Sequence, residues 1–424
     1  MPQTIKTVEL IEKIEGEAEV GYRYEKDRIV DAQIRFLSGR GIERILAGRP
    51  PLDALAITPR VCGICGHAHL IATVRALEAC YPELRISPKA EAVRELTLTL
   101  ELLQNHFKWL YLTIWPLLFP RESVTMKAVE PSRIAAEAIA LLSGQYPHNS
   151  YALPGGIVGE ITPLERLGVA DRLERLWEIF RREIADVQMQ AFLRCDRIEE
   201  LQRKEGDFPR ILREILDRGW ERLGRSHDRF IAFGSNGLFI SGKSLATRIT
   251  HSLDLRHLHE EPVEGSLALN VLYRGKVYET GPLARAMLRK TPLIREAHRR
   301  WGDSLPTRIM ARVCEIPHLL QYAMQLTRDL DMDAPAWIDP GPLPAQAQGT
   351  GIVEAARGSL IHSVEVREGK IAEYRIVTPT QWNLGSGPAD RPGVAQKALI
   401  GLHRDDPAEL IFKSFDVCSV CTTH

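Results

Sequence analysis

Alternation of polar and apolar residues dominates the first stretch of the chain. Residues 5–37 change character at nearly every step, as in Val20-Gly21-Tyr22-Arg23-Tyr24 and Ile29-Val30-Asp31-Ala32-Gln33-Ile34. A period of two turns one face to a core and the other to water. These residues are therefore read as antiparallel strands that turn at Glu25-Lys26-Asp27. The period then changes. Residues 40–80 read as helical, with Pro59 placed to start the helix that carries Cys62 onward. From Pro88 to about Ile114, Val93, Leu96, Leu100, Leu103, Phe107 and Leu110 recur at three- and four-residue steps, the stripe of an amphipathic helix. Further helices are expected over 131–143, closed by Gly144, over one long charged stretch at 163–205, over 207–235, and over 304–330. Val271-Leu272-Tyr273 and Val277-Tyr278 flank an expected turn at Arg274-Gly275-Lys276. A hairpin, Leu360 to Val366 and Ile371 to Val377, turns at Glu368-Gly369-Lys370. A short helix and a cysteine-bearing tail follow. The expected fold is mainly α with small antiparallel β-sheets (α+β) and long central helices. Residues 1–424 are expected to form one domain: a β segment at about 1–37, a helical body at about 40–330, and a C-terminal hairpin and tail at about 350–424. Its N- and C-terminal segments would converge on a buried metal site.

Composition narrows the function. The 424 residues are 44% hydrophobic and carry 55 basic against 55 acidic side chains. Such a balance argues against a nucleic-acid surface or a polybasic membrane anchor. The most apolar run, Trp109 to Phe119, falls short of the roughly 20 residues a bilayer requires and contains Pro116, so it is read as buried core. The polar start is expected to carry no signal peptide, and membrane attachment is expected only through a partner. Seven cysteines are too sparse for a disulfide scaffold.

Four of those cysteines form two Cys-x-x-Cys pairs, Cys62/Cys65 and Cys418/Cys421. Each pair can chelate one ion, and four sulfurs suit zinc, nickel or iron. A structural zinc is the plain alternative, but zinc modules are compact and these pairs lie about 350 residues apart. Cys80, Cys195 and Cys314 follow no spacing rule and are read as small buried residues. His67, His106, Trp109 and Trp115 are read first as core.

The flanks of the pairs are more specific. Arg60-x-Cys62-Gly63-x-Cys65-x-x-x-His69 and Asp416-x-Cys418-x-x-Cys421-x-x-His424 resemble the two cysteine motifs of nickel–iron hydrogenase large subunits. So do Ile14-Glu15-Gly16, Arg40-Gly41-Ile42-Glu43, Pro147-His148, Gly281-Pro282-Leu283-Ala284-Arg285, Glu354-Ala355-x-Arg357-Gly358 and Pro379-Thr380-x-Trp382-Asn383. The resemblance spans nearly the whole length. It implies a Ni–Fe centre with carbon monoxide and cyanide on the iron. Cys62 and Cys418 would be terminal nickel ligands, and Cys65 and Cys421 bridges. Dihydrogen would be split heterolytically, with Cys418 the first proton acceptor and Glu15 the relay. Arg357 and Thr380 would each donate to a cyanide, and His69 would bond a bridging sulfur. Glu43, the carbonyl of Ile376 and His424 would hold Mg2+ or iron.

The resemblance also has departures. Ala356 and Val417 stand where proline is usual, Glu17 where histidine is, and Asn105 where many members carry a pocket aspartate. Loss of that carboxylate is expected to weaken the orientation of Arg357, which bears on turnover rate and oxygen tolerance. Electrons must leave, and no further cysteine cluster is available for iron–sulfur centres. An iron–sulfur small subunit is therefore expected as obligate partner, in a heterodimer or larger assembly, docked on the long helices. The expected activity is cytoplasmic oxidation of H2, reversible in principle. A slow hydrogen-sensing subunit or a zinc-stapled binding protein is the alternative.

Overall fold

The computed structural model describes residues 5–14, 16–37, 39–234, 245–247, 249 and 252–418. Three antiparallel strands open the chain: β1 (Ile5–Ile14), β2 (Gly16–Glu25) and β3 (Arg28–Phe36). Lys26 and Asp27 both adopt positive φ at the β2–β3 turn, the twist a two-residue hairpin requires. The alternation expected of these residues is present: Val20, Tyr22, Tyr24, Ile29, Ala32 and Ile34 are buried.

The first cysteine pair does not ride inside a helix that Pro59 starts. Pro59 lies in a tight turn, Thr58–Val61, and helix α1 (Gly66–Glu78) begins only after Cys65. Next comes α2 (Pro88–Lys108), capped by the Ser87 hydroxyl. A wider π-helical turn, Trp109–Ile114, follows it directly. Trp109, Leu110, Tyr111, Ile114 and Trp115 are buried, so this apolar run is core. Helix α3 (Thr125–Ser143) starts earlier than expected and ends at Gly144, as expected.

The long helix expected at 163–205 is broken. Helix α4 (Pro163–Ile179) passes into a π-helical turn, Phe180–Ala185, and stops at Asp186, whose φ is 51°. The Asp186 carboxylate accepts the Glu205 N–H at 3.3 Å and folds the chain back over two short helices, Met189–Arg194 and Ile198–Gln202. The helix expected at 207–235 covers only Asp207–Asp217, because Gly219, at φ 69°, ends it. The turn expected at Arg274-Gly275-Lys276 is present, with Arg274 and Gly275 at positive φ and Tyr273 bridged to Lys276, while Asn270–Tyr273 pairs along its length with Leu258–Glu261. Helix α5 (Leu305–Arg328) matches the stretch expected at 304–330.

The C-terminal hairpin has a third strand. The sheet runs β4 (Ala347–Ala355), β5 (Gly358–Arg367), β6 (Lys370–Val377), with Glu368 and Gly369 at positive φ in the last turn. Helix α1 lies between this sheet and α2, and α2 packs against α3 and α5. The β4 backbone sits directly on α1: a Cβ at Gly351 would lie 2.0 Å from the Ala72 carbonyl oxygen. These layers bring the 60s, the 350s and the 410s to one place in the core.

Candidate metal centre

The site starts from a turn. Cys62 ends the Thr58–Val61 turn in an extended conformation, and Cys65 stands at the N-cap of α1. The N–H groups of Ile64 and Cys65 both point at the Cys62 sulfur, at 3.3 Å each. Glycine is needed at position 66 because a Cβ there would lie 2.3 Å from the Pro59 carbonyl oxygen. The helix can therefore begin directly behind Cys65.

The tail arrives from the opposite end. Phe415, Asp416, Val417 and Cys418 are all buried. The Cys418 Sγ lies 3.6 Å from the Cys62 Sγ, and the sulfurs of Cys62, Cys65 and Cys418 all fall within 4.8 Å of one another. A sulfur–sulfur separation of 3.6 Å is no disulfide. It is a spacing that one soft ion can bridge, so the donor set fits a nickel- or iron-type centre. Cys421, Glu15 and His424 lie outside the described residues.

A fixed positive charge faces these sulfurs. Arg357 occupies the tight connection between β4 and β5 and is 8% exposed. Its Nε donates to the Asp416 carbonyl at 3.1 Å, Nη2 pairs with Asp416 Oδ1 at 3.2 Å, and Nη1 donates to Asn105 Oδ1 at 3.3 Å. Burial works against its charge, yet the Asp416 carboxylate and the sulfurs of Cys418, Cys65 and Cys62 outweigh burial. They hold the guanidinium protonated well beyond its ordinary range. The amide at 105, expected to weaken the orientation of Arg357, makes three contacts of its own. Asn105 still accepts from Arg357, and its own NH2 donates to the Ile64 and Glu101 carbonyls at 3.1 and 2.8 Å.

Asp416 is held from a second side by Arg312, at 2.5 Å. Arg312 Nε donates to His106 Nδ1 at 2.9 Å, which leaves His106 Nε2 as the donor to Glu315 at 2.8 Å. Burial, with Arg312 adding, pulls His106 down to about 4, so its ring is neutral. Arg285 clasps Glu315 at 2.6 and 2.7 Å and reaches Glu354 at 3.0 Å. This buried network of Arg312, His106, Glu315 and Arg285 escaped the sequence reading. Its signal was present: charged residues stand on core faces of α2 and α5.

The remaining expected site residues divide. The Thr380 hydroxyl is buried with no hydrogen-bond partner among the described residues, as a donor awaiting an absent acceptor would be. His69 lies one turn after Cys65, and its Nδ1 meets His362 Nε2 at 3.0 Å; His362 continues to Tyr374 at 2.9 Å. Glu43 and Ile376 are brought together, but through the Ile376 N–H, which donates to Glu43 Oε1 at 2.6 Å. Cys80, Cys195 and Cys314 are buried, and burial raises all three thiols, Cys80 and Cys195 to about 11.

Comparison with known proteins agrees with this geometry. The profile of the nickel-dependent hydrogenase family matches residues 40–113 and 266–424. The chain is 25% identical to sulfhydrogenase 2 subunit alpha of Pyrococcus furiosus, covering 97% of each. It is 24% identical to the periplasmic [NiFeSe] hydrogenase large subunit of Desulfomicrobium baculatum, covering 99% of this chain and 94% of that one. The fold matches the Ni-Fe-Se hydrogenase of D. vulgaris Hildenborough with a TM-score of 0.83 at 23% identity, over the full length of both chains.

Proposed function

The chain belongs to the nickel-dependent hydrogenase family, and from that premise we propose that it is a catalytic large subunit that oxidises H2 at a Ni–Fe centre held by Cys62, Cys65, Cys418 and Cys421. The observation that carries the reading is the meeting of Cys62 and Cys418, 356 positions apart, under the charged Arg357. When bound, such a centre supplies a redox-active Lewis acid on which dihydrogen is polarised and cleaved. The protein's part is to hold the ligands and move the proton. Cys62 and Cys418 would hold the nickel as terminal ligands and Cys65 and Cys421 would hold both metals, with carbon monoxide and cyanide completing the iron. The Cys418 sulfur receives the proton and Glu15 relays it. Arg357, held by Asp416 and Asn105, would donate to one cyanide and steady negative charge at the sulfurs. Thr380 donates to the other.

A second ion, Mg2+ or iron, would be held by Glu43, the Ile376 carbonyl and His424. Electrons leave through an iron–sulfur small subunit. No helix among the described residues is long and apolar enough to cross a membrane. A cytoplasmic location, with any membrane contact through partners, is part of the proposal.

Anaerobic purification with metal analysis and infrared spectroscopy tests the reading. Nickel and iron near one each, carbon monoxide and cyanide bands, and H2-dependent dye reduction are expected. Cys418→Ser should lose the nickel and at least ~10³-fold of the activity. Zinc in place of nickel, or absent infrared bands, would overturn it.

A further inference from the structure

Helix α1 begins without a cap of its own. Cys65 stands at its N-cap and its carbonyl accepts the His69 N–H, but its side chain caps no N–H of the first turn; its sulfur faces those of Cys62 and Cys418. The first N–H groups of a helix need an acceptor from somewhere. Here it comes from the next helix. Glu101, in the middle of α2 and 1% exposed, accepts the His67 N–H on Oε2 at 2.9 Å and the Ala68 N–H on Oε1 at 3.0 Å. Each carboxylate oxygen thus takes one of two successive N–H groups, two and three residues beyond Cys65.

The same turn of α2 grips the loop again through Asn105. Its NH2 binds both the Glu101 carbonyl and the Ile64 carbonyl, while its Oδ1 accepts from Arg357. Ile64, His67 and Ala68 are therefore tied to one helical turn that also reaches the guanidinium. Acid at a helix N-terminus is favourable, and an apolar residue at 101 would leave two buried N–H groups unsatisfied. Burial pushes the Glu101 carboxyl up to about 8, while the Ala68 and His67 N–H groups and the charges of Arg357 and Lys108 work the other way. An aliphatic side chain at 101 could accept neither N–H.

We propose that Glu101 is a positioning residue for the reaction: from α2 it supplies the cap that Cys65 gives up in order to ligate metal, and so fixes the Cys65 sulfur relative to Arg357. The link to the reaction rests on the hydrogenase reading; the cap itself does not. Glutamine is the informative replacement. It keeps size and one acceptor oxygen, but turns an NH2 toward one of the two N–H donors.

The experiment compares native and Glu101→Gln protein, both purified as the assembled enzyme, by amide hydrogen exchange and infrared spectroscopy. In the variant, exchange at His67 and Ala68 should accelerate at least tenfold while the flanking turns of α2 keep their protection. The carbon monoxide and cyanide bands should shift, with nickel content unchanged. Unchanged exchange at both amides overturns the cap, and faster exchange with unmoved bands overturns the positioning role. Glu101→Ala should exaggerate both effects. If it fails to fold, the glutamine variant decides. Native protein without such bands would instead defeat the hydrogenase reading, leaving the exchange result to judge the cap alone.

Discussion

At the residue scale, Asn105 shows how one amide can serve three partners at once. Its Oδ1 meets Arg357, and its NH2 meets two carbonyls that a carboxylate could not satisfy. Restoring the aspartate by Asn105→Asp is therefore expected to destabilise the protein, by about 1–3 kcal/mol in chemical denaturation, since buried acceptors would face an acceptor. His106 gives a pH signature. Its ordinary value of 6.5 falls to about 4 in the fold. Stability is thus complete above the unfolded value and is lost as pH drops from about 6.5 through about 4, because only the unfolded chain binds the proton readily. Glutamine at 106 can accept from Arg312 and donate to Glu315 without titrating. Between pH 7 and pH 4, wild type should lose on the order of 2–3 kcal/mol more stability than His106→Gln. Equal slopes in denaturation curves would remove His106 from this account. The cysteine spacing made Cys62, Cys65 and Cys418 legible in advance. Glu101 was not, and His106 was legible as core but without its partners Arg312 and Glu315, because a stripe such as Val93, Leu96, Leu100, Leu103 and Phe107 announces a core without saying which polar groups meet inside it.

At the scale of elements, turns with dedicated residues were readable: Lys26-Asp27 and Glu368-Gly369, at positive φ, sit where turns were expected. Breaks set by tertiary contacts were not. Asp186 ends the helix by turning left-handed, and its hydrogen bond to Glu205, nineteen residues on, ties the returning chain to that turn. Strand β4 was missed for a related reason. Gly349-Thr350-Gly351 has little apolar alternation, because the strand presents backbone rather than side chains to α1. Gly351→Ala puts a methyl group 2.0 Å from the Ala72 carbonyl oxygen and 2.4 Å from the Ala76 nitrogen. Both are backbone atoms of a packed helix and cannot swing aside. A loss of about 2–3 kcal/mol, or failure to reach the folded state, is expected from urea denaturation of the variant. Wild-type stability would mean that the sheet can lift off α1.

At the scale of the molecule, two ends of the chain close on one interior. Convergence of the segments was legible from the paired motifs, while the means of holding them was not. Among the described residues that means is arginine: Arg308 stacks over Phe415 at 4.0 Å, and Arg312 and Arg357 share Asp416. A chain cut after Ser414 would leave the latter two charges buried and without their carboxylate. It should be less stable than the full chain by about 3–5 kcal/mol, measurable as a lowered denaturation midpoint of the metal-free proteins. Equal midpoints would show that the arginines find other anions.

Arg308 and Arg312 stand one turn apart on α5, so two successive teeth of a single rod mesh with two neighbouring residues just before Cys418. Any axial slip of that rod, at 1.5 Å per residue, is geared directly to a sulfur. Substitutions that let the far end of α5 creep, many residues from the thiols, should therefore detune the centre without touching it.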